Sequence, residues 1–217
     1  AEPGTEDLAK FTTKDIAAIS STAIAGLSSE LIATLSSDQV AAFNATSVSG
    51  LSTDQIAALT TAGIRALSTA QIAALTTAQV RALETADIAA LSTDQVVALS
   101  TYQVSNLTTT TMAALRTDQV QAIETRDVQA LTTKQLSSIS TSTVQALSTD
   151  QVVALTTYQV TNLSTGNLKA LTSDQVQAIE TRDVQVLTTG QIGSVGTSTV
   201  AALTTDQVVA LKTSQIN

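Results

Sequence analysis

Apolar residues recur along this chain with a period of eight, in a register that holds from Gly4 to Leu211 without an insertion. We number each octad so that its last residue, usually Leu, is position 8. The register then contains 26 octads, followed by a partial one, KTSQIN, at 212–217. Position 5 is always Val, Ile, Leu or Met, position 8 is always apolar, and position 7 is mostly Ala. Position 2 is Thr or Ser except at Ala45, whereas positions 1, 3 and 6 vary as solvent-facing positions do. Such regularity predicts a tandem array.

One continuous helix does not suit this period. Eight residues at about 100° each turn the apolar pair by about 80° from one octad to the next, so the apolar stripe would circle the helix. A β-solenoid is the alternative, because Thr and Val favour strands, although positions 5 and 8 would then point to opposite faces. A string of very short helices explains more positions. The pattern therefore predicts an all-α, elongated solenoid with one short helix per octad.

Each octad carries its own signal for a helix start. In phrases such as STDQ, Ser or Thr at position 1 stands three residues before Gln or Asp, which is the spacing of a capping box. With position 1 as the N-cap, the leucine before it and the aliphatic residue at position 5 form a hydrophobic staple. Position 1 also admits Glu84, Arg116, Glu124 and Lys212, which cap poorly. The more constant threonine at position 2 is therefore a second candidate for the cap.

Isolated single turns of helix are unstable, because nucleation is costly and such a short segment never recovers that cost. The octads must therefore stack and bury positions 5 and 8 against their neighbours. We expect residues 1–3 to be an N-terminal tail and residues 4–217 to form a single octad-repeat solenoid.

A longer period overlies the octads, since residues 92–147 and 148–203 match closely, with Tyr102 recurring as Tyr158. Fifty-six residues are seven octads. Recent tandem duplication explains this super-repeat. A structural explanation is that seven octads complete a whole number of superhelical turns, which would place both tyrosines on one line as exposed contact residues.

The composition leaves little room for catalysis. The chain has no Cys and no His, so catalytic triads and most catalytic metal sites are not available to it. Aspartates recur at position 3, an exposed early-helix position where acidic groups complement the helix dipole: Asp94, Asp118, Asp150, Asp174 and Asp206. We expect no enzyme activity, no cofactor and no metal site.

Charge and hydropathy exclude two classes of partner. The net charge is -8, and the 10 basic residues are scattered singly, whereas nucleic-acid binding needs clustered Lys and Arg to replace counterions on phosphates. No apolar run approaches the roughly 18 residues of a membrane span. We therefore expect no nucleic-acid partner and no membrane insertion.

The phrases LTTAQVRAL, at 75–83, and LSTDQVVAL, at 91–99, resemble the octad-rich tracts of large repetitive secreted or surface proteins of proteobacteria, which are adhesin- or filament-like. The resemblance covers residues 4–217. It implies a non-catalytic structural role in a bacterial extracellular or cell-surface setting, as a stalk, sheath or filament subunit. The alternatives are a binding or adhesion module, such as an ice-binding solenoid that displays rows of threonine, and an intracellular scaffold.

The ends of the sequence suggest a partner. A terminal repeat exposes the apolar face that internal repeats bury. Leu8 and Phe11 occupy apolar positions of the first octad, and Ile216 occupies position 5 of the partial one. Two explanations fit: the sequence is a fragment of a longer array, or its ends dock onto other subunits. In the second case we expect these three residues to be assembly contacts in head-to-tail association of the chain with itself, and head-to-tail contacts that do not close a ring give an open filament.

Overall fold

The structure is a computed structural model that describes residues 10–216, except for the side chains of Ser194, Ser198 and Ile216. The chain divides into two units, Ala1–Ala114 and Leu115–Asn217. Within the described residues both units consist of short helices and turns, with no strand. The all-α solenoid predicted from the octad is confirmed, and the β-solenoid alternative is wrong. The expected tail at 1–3 lies outside the described residues, and a single solenoid over 4–217 stays a prediction.

From residue 12 onward, one helix of four to six residues occupies each octad and begins at position 2. The described helices of the first unit are Thr13–Ala18, Ser21–Ala25, Ser29–Ala33, Ser37–Ala41, Ala45–Ser49, Thr53–Ala58, Thr61–Ala66, Thr69–Ala74, Thr77–Ala82, Thr85–Ala90, Thr93–Val97, Thr101–Ser105 and Thr109–Ala113.

The second unit continues the same pattern. Its described helices are Thr117–Ala122, Thr125–Ala130, Thr133–Ser138, Thr141–Ala146, Thr149–Val153, Thr157–Thr161, Thr165–Ala170, Ser173–Ala178, Thr181–Val184, Thr189–Ser194, Thr197–Ala201, Thr205–Ala210 and Thr213–Ile216.

Position 1 is the N-cap, and the suggestion that position 2 caps the helix is wrong. At Ser68 the backbone is extended (φ -70°, ψ 161°), and its side chain accepts from the amide of Gln71. Thr69, at position 2, is already the first helical residue. The preceding leucine at position 8 is extended too, as Leu67 shows (φ -61°, ψ 134°). Two extended residues thus reverse the chain between helices, and no described residue has a positive φ, which explains why the turns need no glycine.

Burial follows the octad position. Residues at positions 5 and 8 form the apolar core through most of both units, while positions 3 and 6 face solvent. Val152, at position 5, is 3% exposed, whereas its neighbour Val153, at position 6, is 43% exposed. Position 7 is mostly half-buried, where a small alanine lets neighbouring turns approach. The predicted division into inside and outside is therefore confirmed at these positions.

Within each unit, octads lie against octads three and four places away rather than against their immediate neighbours alone. Helix Ser37–Ala41 contacts Thr61–Ala66 in the first unit, and Thr141–Ala146 contacts Thr165–Ala170 in the second. Hydrogen bonds between successive turns join residues 28 apart, which is three and a half octads. The structural explanation of the 56-residue super-repeat, that seven octads complete a whole number of superhelical turns, stays a prediction.

One pair of helices approaches so closely that only glycine fits. A Cβ built on Gly50 would lie 2.6 Å from the Cβ of Ser21 and 2.9 Å from its Cα. Gly50 itself has an ordinary helical conformation (φ -83°, ψ -11°). The requirement is therefore one of space between turns and not of backbone freedom.

We expect Gly50→Ala to lower the free energy of unfolding by about 1–3 kcal/mol, because the added methyl forces two backbones apart. Urea denaturation measures the change. Gly193→Ala is the control, since a Cβ there meets nothing within 4 Å and alanine favours a helix interior by up to about 1 kcal/mol. If both substitutions stabilise the protein, the close approach at Ser21 is not a packing constraint.

Candidate functional site

The side chain at position 4 is the buried polar group that recurs through both units, and Gln151, 2% exposed, shows its bonds. Its Oε1 accepts from the backbone amide of Ser148 at 2.9 Å, and the backbone N–H of Gln151 donates to the Ser148 Oγ at 3.1 Å. Its Nε2 donates to the carbonyl oxygens of Val120 at 2.8 Å and Ile123 at 2.7 Å. One glutamine therefore joins the start of its own helix to the end of a helix four octads earlier.

Very short helices require such a group. The first four N–H groups and the last four C=O groups of a helix have no partner within it, so most polar groups of a six-residue helix must be satisfied from outside. A glutamine amide carries an acceptor and two donors at one end. It can therefore serve an amide of its own helix and two carbonyls of another at the same time.

The same two inter-turn bonds, to carbonyls 31 and 28 residues earlier, recur in both units. Their donors are Gln55, Gln71, Gln79, Gln95, Gln103, Gln151, Gln159, Gln175, Gln207 and Gln215. We call this set the glutamine ladder.

Shorter donors at position 4 make part of the same connection. The side chain of Asn167 is one methylene shorter than glutamine and donates to the carbonyl of Leu136, 31 residues earlier, at 3.0 Å. Ser47 donates through its hydroxyl to the carbonyl of Ile19, 28 residues earlier, at 2.6 Å. Position 4 therefore tolerates other donors, each with fewer bonds than glutamine makes.

Aspartate at position 4 reverses the direction of bonding. A carboxylate has no proton to give, and Asp183, 3% exposed at its side chain, accepts from the hydroxyl of Thr157 at 2.6 Å. Asp87 accepts from the hydroxyl of Thr61 at 3.0 Å. In both pairs the threonine is at position 2, 26 residues earlier. Position-2 threonines thus have an inter-turn role where the next turn supplies an aspartate.

The sequence identified position 4 as part of a capping box, but it did not reveal the bonds from position 4 to the carbonyls of another turn. A signal was present, because glutamine occupies position 4 in 13 of the 26 octads, directly before the buried position 5. A long polar side chain that recurs beside a buried position indicates a specific buried partner. The period of the superhelix was not known from sequence, so that partner could not be assigned.

Three exposed carboxyls in the first turns of helices accept local hydrogen bonds. Hydrogen bonds from Thr12 lower the pKa of Asp15 below its ordinary 3.8, and the bond from the Arg116 side chain lowers the pKa of Asp118. The backbone amide of Glu30, followed by the Ser28 hydroxyl, lowers the pKa of Glu30. Each shift therefore comes from groups at the start of the same helix.

The phrase ETRD, which occurs at 124–127 and 180–183, carries an arginine that bridges two carboxylates. Arg126 pairs with Glu124, and its Nε lies 3.6 Å from Asp127. Arg182 pairs with Glu180 in the same way. The arginine side chains are 66% and 67% exposed, so solvent screens these pairs and they contribute little to stability.

Tyr102 and Tyr158, the predicted contact residues, are each 70% exposed. In both octads an asparagine four residues later donates through its side-chain amide to the tyrosine carbonyl at 2.8 Å, which satisfies a carbonyl near the helix end. The two tyrosines lie in different units. Their alignment on one line and their contact with a partner stay predictions.

The predicted assembly contacts are only partly within the described structure. Phe11, at position 8 of the first octad, is 39% exposed. Leu8 lies outside the described residues, and so does the side chain of Ile216. The role of these three residues stays a prediction.

The described residues offer no cluster of metal ligands and no spanning helix. Within 10–216, no three His, Cys, Asp or Glu residues come together as they would around an ion. None of the helices described there combines the length and the apolar character that crossing a bilayer demands. In the same range every buried side-chain nitrogen and oxygen has a hydrogen-bond partner.

These features define a tandem-repeat α-solenoid, whose unit is a capped helix of one octad. The family model described as the ALTTAQ repeat matches residues 4–37, 48–85, 80–117, 120–157 and 176–213, which together exceed half of the chain. The chain belongs to the ALTTAQ repeat family, and residues 74–79 read ALTTAQ. No curated protein matches it.

We expect Gln151→Glu to lower the free energy of unfolding by about 1–3 kcal/mol, because the carbonyls of Val120 and Ile123 lose their donor and face a buried carboxylate. Chemical denaturation of the whole chain measures the loss.

Gln145→Glu is the matched control. Gln145 is exposed at position 6, so the same change of charge there should alter stability by less than about 0.5 kcal/mol. Equal effects at the two positions would contradict the assignment of the inter-turn bond to position 4.

Proposed function

We propose that this protein is a non-catalytic structural array, acting outside the cell as a stalk, sheath or filament subunit. The observation that carries the proposal is the glutamine ladder. The polar groups that the fold buries are used to join one turn to another, as the four bonds of Gln151 illustrate. Buried polar groups are normally hydrogen-bonded within a fold, and in the glutamine ladder those bonds hold one turn against another.

The composition supports a role at a wet surface. Ser or Thr occupies position 1 in 19 of the 26 octads and position 2 in every octad except that of Ala45. The net charge of -8 opposes non-specific aggregation. The resemblance of the octad phrases to proteobacterial secreted and surface proteins supports the bacterial extracellular location.

Stacking of equivalent octads suits a spacer. Stability in a solenoid is approximately a sum over repeats and their interfaces, so the number of octads can change while each interface remains the same. Such a design sets the distance between two ends by copy number. A length that is set by the number of repeats fits a stalk or sheath better than it fits a protein with a single binding site.

The alternatives have less support. An ice-binding face would use rows of position-2 threonine hydroxyls, and two of these, Thr61 and Thr157, donate instead to the carboxylates of Asp87 and Asp183. No contact within the described residues favours an ice ligand or an intracellular scaffold over the structural role.

The extracellular role predicts surface accessibility. An antibody raised against this chain should label intact cells of the source, and protease added outside those cells should remove the signal. An abundant cytoplasmic protein, probed with its own antibody in the same cell samples, controls for lysis. Labelling that appears only after the cells are broken would contradict the extracellular proposal.

Head-to-tail association is a separate prediction. We expect sedimentation velocity of this chain to show concentration-dependent oligomers, because the apolar side chains of Phe11 and Val208 are 39% and 48% exposed. Phe11→Asp and Val208→Asp should each weaken association, whereas Ala73→Asp, at an exposed inner position, should not. A single monomer peak at the highest concentration reached would contradict it.

A further inference from the structure

Three buried aspartates of the described chain occupy position 4, and they differ in the residue that precedes them. Asp127 and Asp183 each follow an arginine, whose Nε lies 3.6 Å and 3.9 Å from the respective Oδ1. Asp87, 4% exposed, follows Ala86. Asp87 is thus the member of this set that has no guanidinium beside it.

The side chain of Asp87 is bonded by neutral groups alone. Its Oδ1 accepts from the hydroxyl of Thr61 at 3.0 Å, and its Oδ2 accepts from the backbone amide of Glu84 at 3.2 Å. No Lys or Arg of the described chain forms an ion pair with Asp87, and Arg65, on a helix that packs against this octad, is exposed. Buried charges are normally paired or coordinate a metal, so a positive group beside Asp87 would stabilise this contact.

The glutamine ladder shows that carbonyl oxygens converge where position 4 meets the preceding turn. The Nε2 of Gln71 lies 3.3 Å from the oxygens of Val40 and Ala41 and 2.6 Å from that of Phe43. These oxygens belong to positions 5, 6 and 8 of the octad four places earlier. Three carbonyl oxygens therefore surround one donor nitrogen.

The equivalent oxygens for Asp87 belong to Ile56, Ala57 and Leu59. The oxygen of Ile56 accepts from the backbone amide of Leu59 at 3.2 Å, whereas no donor within the described residues reaches the oxygen of Leu59, which is buried. Thr61, which bonds Asp87, lies two residues beyond Leu59. The carboxylate and these carbonyls therefore belong to the same contact between turns, and a carboxylate has no proton with which to bond them.

Asn167 shows what a neutral side chain of the same length does at position 4. Its Nδ2 donates to the carbonyl of Leu136, 31 residues earlier, at 3.0 Å. Aspartate has an oxygen where asparagine has this nitrogen, so the same placement of Asp87 would bring two acceptors together. A cation that both oxygens can ligate turns that repulsion into attraction.

We propose that Asp87 and the carbonyl oxygens of Ile56 and Leu59 bind Ca²⁺ between two turns of the first unit. Ca²⁺ takes carboxylate, carbonyl and water oxygens at about 2.3–2.6 Å. In the ladder, two equivalent carbonyl oxygens lie 2.8 and 2.7 Å from the Nε2 of Gln79, so the fold already holds such a pair at nearly the required spacing. With one carboxylate, the dissociation constant falls in the weak range of roughly 10⁻⁴–10⁻³ M.

The ion replaces the amide donor of the ladder and joins the two turns in its place. The site departs from the expectation of no metal, because most of its ligands are backbone oxygens, which leave no motif in the sequence. It concerns the contact between turns and does not rest on the extracellular role.

Calorimetric titration of the intact chain with CaCl₂, with ionic strength held constant by tetramethylammonium chloride, tests the site. We expect one binding event in the weak range. At about ten times the dissociation constant, amides of 84–91 should exchange hydrogen about tenfold more slowly. Amides of 180–187 are the internal control, because Arg182 already accompanies Asp183 there, and their exchange should not change.

Asp87→Asn is the matched variant, since it keeps the shape of the side chain, removes its charge and supplies the donor that Asn167 uses. It should abolish both the binding event and the slower exchange. Asp87→Gln, which supplies the donor of the ladder, should do the same and provides a second folded variant. Asp94→Asn makes the same change of charge at an exposed position 3 and should retain both effects.

Three results would each overturn the proposal. The first is that Ca²⁺ leaves exchange at 84–91 unchanged, and the second is that it slows exchange at 180–187 equally. The third is that Asp87→Asn or Asp87→Gln binds Ca²⁺ as tightly as the unaltered chain.

Discussion

The need to satisfy backbone groups at helix ends governs this fold. Helices of about one and a half turns have more unpaired N–H and C=O groups than paired ones, and each octad ends one helix and starts another. Glutamine at position 4 meets both needs, because its oxygen serves the amide of Ser148 in its own octad and its nitrogen serves Val120 and Ile123 in another. The apolar core supplies cohesion, while the glutamine fixes which octads meet.

This constraint explains features that otherwise look unrelated. The turns need no glycine because two extended residues reverse the chain, so glycine is free to serve packing, as Gly50 does against Ser21. The threonine at position 2 has a bonding role where aspartate replaces glutamine, as in Thr157 and Asp183. Exposed charges such as Asp15 remain local to one helix start. Side-chain chemistry is thus allotted by octad position.

Local structure could be predicted from the sequence, and long-range structure could not. Capping signals and the apolar pair act within one octad, so one short helix per octad and the burial of Val152 over Val153 followed from the pattern. The choice between positions 1 and 2 as cap stayed open because Thr and Ser occur at both. The partner of Gln151 lies 28 residues earlier in the sequence. Which octad comes to lie there depends on the angles between successive helices, added over several octads. No single octad encodes that sum.

The 28-residue span of these bonds also sets the order in which a growing chain can fold. The carbonyl of Phe11 has its partner at Gln39, so a ribosome must release about four octads before the earliest bond of this kind within the described residues can close. That first closure bears the loop entropy of the whole turn. Afterwards each new octad arrives beside a finished turn and needs to order only its own few residues. Synthesis and folding can then proceed at the same pace, with one slow start followed by rapid addition of eight residues at a time.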